Sequence, residues 1–82
     1  MSEKEINETI KNTLSLVFEV SEDEITEDTS ADSVENWDSI RHLNLILALE
    51  EQFDITIPDE DVGNMLNFKI ISHVVVEALN GK

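Results

Sequence analysis

The sequence predicts an all-α fold, a four-helix bundle with a long first loop and a short third helix, occupying residues 1–82 as a single small domain. Three observations predict it. Three stretches space their apolar residues at helical rather than strand period. Each of these follows a residue suited to cap a helix: Ser2, Asp38 or Asn67. The one stretch that alternates like a strand, Asp54-Ile55-Thr56-Ile57-Pro58, has no second strand to pair with.

Helix one is expected from about Glu3 to Phe18. Ile6, Ile10, Leu14, Val17 and Phe18 fall on one stripe, and Glu3 and Glu5 lie near the positive end of the helix dipole. From Glu19 to Asp38 the periodicity stops; only Val20, Ile25, Ala31, Val34 and Trp37 interrupt a run rich in Glu, Asp, Ser and Thr. A loop this long is uncommon in a small domain, so Val20, Ile25 and Trp37 are expected to pin it to the helices, with a short helical turn near Ser21 to Ile25.

Helix two is expected to begin at Asp38-Ser39 and run to about Phe53. Leu45, Leu49 and Phe53 form one apolar stripe, with Ile46 beside it; Ile40, Leu43 and Leu47 form another roughly 150° away at ~100° per residue. Both stripes could face the core, or the second could meet a ligand or partner. The Asp54–Pro58 connector is expected to bury one Ile. Asp59-Glu60-Asp61 then starts a short helix that ends near Gly63-Asn64. Asn67 caps the last helix, whose buried stripe is Ile71, Val74, Val75, Ala78 and Leu79, and Asn80-Gly81 ends it.

Charge narrows the function. Nineteen acidic against five basic residues give a formal charge of −14, which repels nucleic acid and anionic membranes and favours cationic partners. The longest apolar run, Leu45 to Leu49, falls far short of the ~20 residues that span a bilayer, so no membrane insertion is expected. The N-terminal residues Met1-Ser2-Glu3-Lys4-Glu5 lack the basic and apolar regions of a signal peptide, and a cytoplasmic location is expected. There is no cysteine, hence no disulfide and no protein thiol. The acidic clusters Glu22–Asp28 and Asp54–Asp61 do not fit a calcium-binding loop, so no metal site is assigned.

The residues that point to chemistry are Trp37-Asp38-Ser39-Ile40, where the long loop meets the doubly apolar helix. A hydroxyl there is exposed yet held by a rigid element, and a phosphate attached to it would meet free backbone N–H groups. Asp38 and Ser39 are also what a plain helix cap uses. Three blocks together carry the reading further: Asp38-Ser39-Ile40, Ala48-Leu49-Glu50-Glu51-Gln52-Phe53 and Ile57-Pro58-Asp59-Glu60-Asp61. At this spacing they resemble the acyl carrier protein family, and the resemblance extends from Ile6 to Leu79.

The resemblance implies that Ser39, preceded by Asp38, bears a covalent 4'-phosphopantetheine arm attached by a phosphopantetheinyl transferase. It implies a non-catalytic, monomeric carrier that holds acyl groups as thioesters and exchanges them with acyl-loading and acyl-accepting enzymes. Ile40, Arg41, Leu43, Leu47, Glu50 and Glu51 would form the partner-docking surface. Members that serve fatty-acid synthesis typically place acids where this chain has Arg41 and Asn44, so Trp37 to Leu43 looks closer to carriers of specialised, polyketide-like pathways. An aminoacyl or peptidyl carrier, or an unmodified acidic adaptor that binds a basic partner through helix two, would fit the same residues.

No catalytic residue is expected. His42 follows Ser39 by three residues on the same face, but no third group to orient it and no oxyanion hole are evident. The sequence instead suggests an exposed or partner-contacting His42, and a surface position for His73.

Overall fold

The stripe of Ile6, Ile10, Leu14 and Phe18 is buried along one side of α1 (Glu3–Phe18) in the computed structural model, which describes residues 2–81. Met1 and Lys82, the outermost residues of the expected 1–82 domain, lie outside the described residues. Three further helices follow: α2 (Ser39–Phe53), α3 (Asp59–Val62) and α4 (Phe68–Asn80). Side-chain caps begin the three long helices. Ser2 accepts from the Glu5 N–H (3.2 Å), Asp38 from Arg41 (2.8 Å) and Asn67 from Ile70 (2.8 Å).

Helix ends are set differently. Glu19 and Asp54 close α1 and α2 at φ 56° and 53°, a left-handed conformation that costs a side-chain-bearing residue about 1–2 kcal/mol. Their N–H groups return to the carbonyls of Ser15 and Glu50, satisfying otherwise free helix-end acceptors. Gly81 ends α4 at φ −86°, without the left-handed turn that Asn80-Gly81 suggests.

Helix α1 packs on both α2 and α4, which also touch each other. Between them lie Ile10, Leu14, Phe18, Leu45, Leu49, Met65, Ile71 and Val75, all essentially without solvent contact. The expected stripes are recovered with three amendments. Val17, Ala78 and Leu79 are only half-buried against the core rather than within it. The Asp54–Pro58 connector buries both Ile55 and Ile57, not one, because its extended backbone lies along the bundle edge with alternate residues turned the same way. Met65 from the α3–α4 connection and Phe68 from the first turn of α4, both outside the expected stripe of the last helix, complete the core.

The long loop is held by backbone as well as by side chains. A single 3-10 turn, Glu22–Glu24, is capped by Ser21, and Ile25 is buried behind it. Buried Thr29 accepts from the Thr26 N–H (2.8 Å). Its carbonyl takes the Phe68 N–H (2.9 Å), and the Ala31 N–H reaches the Leu66 carbonyl (2.8 Å). These bonds make a one-residue antiparallel bridge between Ser30 and Asn67, tying the loop to the start of α4. Among the described residues no helix is long and apolar enough to cross a membrane.

Candidate functional site

Ser39 is the first residue of α2 and its side chain is exposed. Asp38 before it is committed to the cap: its carboxylate takes the Arg41 N–H and its carbonyl takes the His42 N–H (2.9 Å). The N–H groups of Ser39 and Ile40 have no acceptor within the helix by geometry, so they and the positive end of the dipole face the serine hydroxyl's surroundings.

The loop that delivers Asp38 is clamped just before it. Trp37 stacks on Phe18 at the end of α1 (ring centroids 4.6 Å apart, 28° between planes). Its indole N–H donates to Nδ1 of His42 (3.0 Å), and the Asn36 amide donates to the Phe18 carbonyl (3.1 Å). Trp37 therefore holds the loop to the helices, as its place in the sequence suggests.

His42 differs from the sequence expectation. It is half-buried, and both ring nitrogens are engaged: Nδ1 by Trp37 and Nε2 by the Val62 carbonyl (2.6 Å). The tautomer that satisfies both bonds carries its proton on Nε2, which donates to Val62. Neither nitrogen is left to act as a base on Ser39. The signal was present in the sequence: Trp37 precedes the cap and His42 is the fourth helical residue, the positions whose side chains meet across a helix start.

Arg41 also turns inward. Its guanidinium donates to the Val17 carbonyl at the end of α1 (2.6 Å) and pairs with Glu19 (3.1 Å). A cation at a helix C-terminus is favourably placed, so Arg41 fastens α2 to α1. Glu50 accepts from the Ile57 N–H (2.8 Å) and so braces the connector. Glu51 is exposed. The second apolar stripe of α2 faces solvent: Ile40 is 73% exposed, Leu43 57% and Leu47 63%, with Leu66 nearby in sequence to α3 at 47%. An open groove of about 360 Å³ beside Ser39 is lined by Ala31, Trp37, His42, Leu43, Gly63 and Leu66.

The arrangement of loop, exposed serine and apolar helix face coincides with a known family. Residues 8–67 match the family described as "Phosphopantetheine attachment site". The chain is 43% identical over 61 residues to an acyl carrier protein of Lactobacillus acidophilus, covering 74% of this chain and 76% of that one. The chain belongs to the acyl carrier protein family. An acyl carrier protein of Petrotoga mobilis is 30% identical over 80 residues, covering 98% of this chain and 94% of the relative. Polyketide-8 synthase acyl carrier protein 1 of Streptomyces avermitilis is 32% identical over 69 residues, covering 84% and 82%. A holo acyl carrier protein from Geobacter metallireducens, solved in solution by NMR, superposes with a TM-score of 0.81 at 25% identity, covering 92% of this chain and 86% of that one.

This acyl carrier is accordingly a carrier and not an enzyme, and its cofactor is a covalently attached phosphopantetheine. The residues of the helix start fit such a group. An exposed hydroxyl is available for a phosphodiester, two N–H groups are free to meet its oxygens, and the neighbouring carboxylate is tied to a backbone N–H.

Proposed function

We propose that Ser39 is the attachment residue and that the chain carries acyl groups between the enzymes that load them and those that accept them. The observation that carries this reading is the position of Ser39: an exposed hydroxyl on the first residue of α2, inside the span that matches the attachment-site family. When bound, the arm supplies the thiol on which an acyl group rides as a thioester. The protein's own residues supply the rest. Asp38 holds the helix start in place, the Ser39 and Ile40 N–H groups favour the phosphate's charge, and Trp37 keeps the loop from swinging over the serine.

A docking surface is assigned to Ile40, Leu43, Leu47 and Glu51. An exposed apolar stripe flanked by acid suits an enzyme surface with an apolar centre and a basic rim. Arg41 and Glu50 support that surface from within, since their side chains are bonded to Val17, Glu19 and Ile57. The phosphopantetheinyl transferase is the first partner expected to use it.

The pathway reading also changes in detail. Because the Arg41 charge is paired with Glu19, the upper part of α2 presents Ile40 and Asn44 as neutral groups rather than an open cation. A synthase patch that seeks acids there finds little attraction, which favours a specialised or polyketide-like pathway over housekeeping fatty-acid synthesis. The test of the carrier assignment is intact mass after exposure to a broad-specificity transferase and coenzyme A. The wild type gains one phosphopantetheine and Ser39→Ala gains none; a Ser39→Ala chain that still takes up the group overturns the assignment.

A further inference from the structure

Helix α3 has four residues, none of them buried, and its N-cap Pro58 offers no side-chain hydrogen bond. A single turn of this kind cannot sustain itself, because helix nucleation is unfavourable and so few bonds follow it. It is also not packed extensively on any other helix. Besides half-buried Val62, which packs against the core, two α2 side chains hold it. Glu50 accepts from the Ile57 N–H just before it (2.8 Å), and His42 reaches the carbonyl of its last residue, Val62 (2.6 Å). The residues lie about two turns apart on α2, so the short helix is strapped at both ends to one long one. Beyond Val62 the chain passes through Gly63 and Leu66, which form one wall of the groove beside Ser39.

We propose that His42 is a positioning residue for the carrier site: it latches the end of α3 to α2 and thereby fixes the groove wall that a modified Ser39 would face. The latch is oriented from behind. Trp37 donates to Nδ1, which leaves the proton on Nε2 aimed at Val62, and Trp37 is itself stacked on Phe18. The end of the long loop, the start of α2 and the end of α3 are thus joined through one imidazole. The Met65 N–H also reaches the Val62 carbonyl, but at 3.4 Å, so His42 makes the shorter bond there. The structural part of this inference stands on the unmodified chain; its consequence for the site rests on Ser39 being the attachment residue.

The two ring nitrogens can be removed separately. An asparagine amide reaches the position of Nδ1 and keeps a partner for Trp37, whereas a glutamine amide reaches that of Nε2 and keeps the donor to Val62. Hydrogen–deuterium exchange of the full unmodified chain is compared for wild type, His42→Ala, His42→Asn and His42→Gln. In parallel, the rate of mass gain with transferase and coenzyme A is followed. Amides of residues 59–66 should exchange roughly five- to tenfold faster in His42→Ala and His42→Asn, the change expected for one lost hydrogen bond of ~1 kcal/mol. Those of α1 and α4 should hold, and His42→Gln should restore protection. Attachment should slow several-fold in the same two variants while still reaching completion. Equal exchange over 59–66 in all four chains, or equal loosening of every helix, overturns the latch. Faster exchange over 59–66 with unchanged attachment rates overturns its role at the site. A wild type that gains no mass refutes the Ser39 assignment alone, and exchange still decides the latch.

Discussion

Replacing Trp37 with alanine removes three interactions at once, and the structure allows each to be weighed. The indole is half-buried, so about 100 Å² of the ~150–250 Å² that a tryptophan can bury is lost, about 2.5 kcal/mol at ~25 cal/mol per Å². The stack on Phe18 adds about 0.5–1.5 kcal/mol. The bond to His42 adds about 1 kcal/mol, little of it recovered unless water reaches Nδ1. These contributions overlap, and the alanine chain can partly collapse, so a net loss of about 3 kcal/mol is expected. For a domain of this length that lowers the thermal midpoint by roughly 12–24 °C. Circular dichroism at helical wavelengths follows it, since the variant has no tryptophan to report by fluorescence. Trp37→Phe keeps most of the stack and loses only the bond, so it should fall by a third of that or less. An alanine midpoint within a few degrees of wild type refutes the reasoning and frees the indole for partner contact. A phenylalanine variant as damaged as alanine would assign the effect to the hydrogen bond instead of to burial.

Further outcomes follow from the same geometry. Arg41→Ala should lower the thermal midpoint by roughly 4–16 °C, because it removes a charge-assisted bond to the Val17 carbonyl worth about 1–2 kcal/mol; the exposed Glu19 adds little. An unchanged midpoint would show that the guanidinium is free. Leu43→Ser and Leu47→Ser should change stability by no more than ~0.5 kcal/mol while slowing arm attachment, since both side chains lie in solvent; equal attachment rates would remove them from the docking surface. Added sodium or magnesium chloride should raise the midpoint, because few ion pairs among the described residues offset the −14 charge, and a flat response would contradict that. Asn44→Glu should improve turnover of the loaded carrier by a fatty-acid synthase without loss of stability, and equal turnover would count against the specialised-pathway reading.

The elements of the bundle were legible because period and caps agree. Ser2, Asp38 and Asn67 cap the helices that the apolar stripes call for, and the second stripe of Ile40, Leu43 and Leu47 is visible as soon as α2 is drawn as a wheel, though its exposure is read from the structure. What stayed hidden depends on where backbone runs between helices. Nothing in the composition of residues 19–38 says that Thr29 and Ala31 will bond across to Phe68 and Leu66, or that Met65 will fill the core. The long polar side chains were the harder case. Arg41 and Glu50 look like surface charges on a helical wheel, yet each finds a backbone partner on another segment, which no spacing along α2 reveals. That finding alters a design choice: substituting Arg41 by an acid to suit a synthase would set a like charge against Glu19 and the end of α1, whereas Asn44 is exposed and can be changed alone.

Site-mapped mass spectrometry of the full chain after reaction with transferase and coenzyme A tests most directly what this protein is for. The chain offers several other serines, among them Ser30 and Ser33 in the long loop and Ser72 on α4, but their hydroxyls or amides are engaged in turns or by Asn7. Only Ser39 combines exposure with the first turn of α2. One phosphopantetheine on the peptide containing Trp37-Asp38-Ser39-Ile40, localised by fragmentation to Ser39, is the expected result. A group localised to any other serine, or an unmodified chain under conditions that load a known acyl carrier protein to completion, would contradict it.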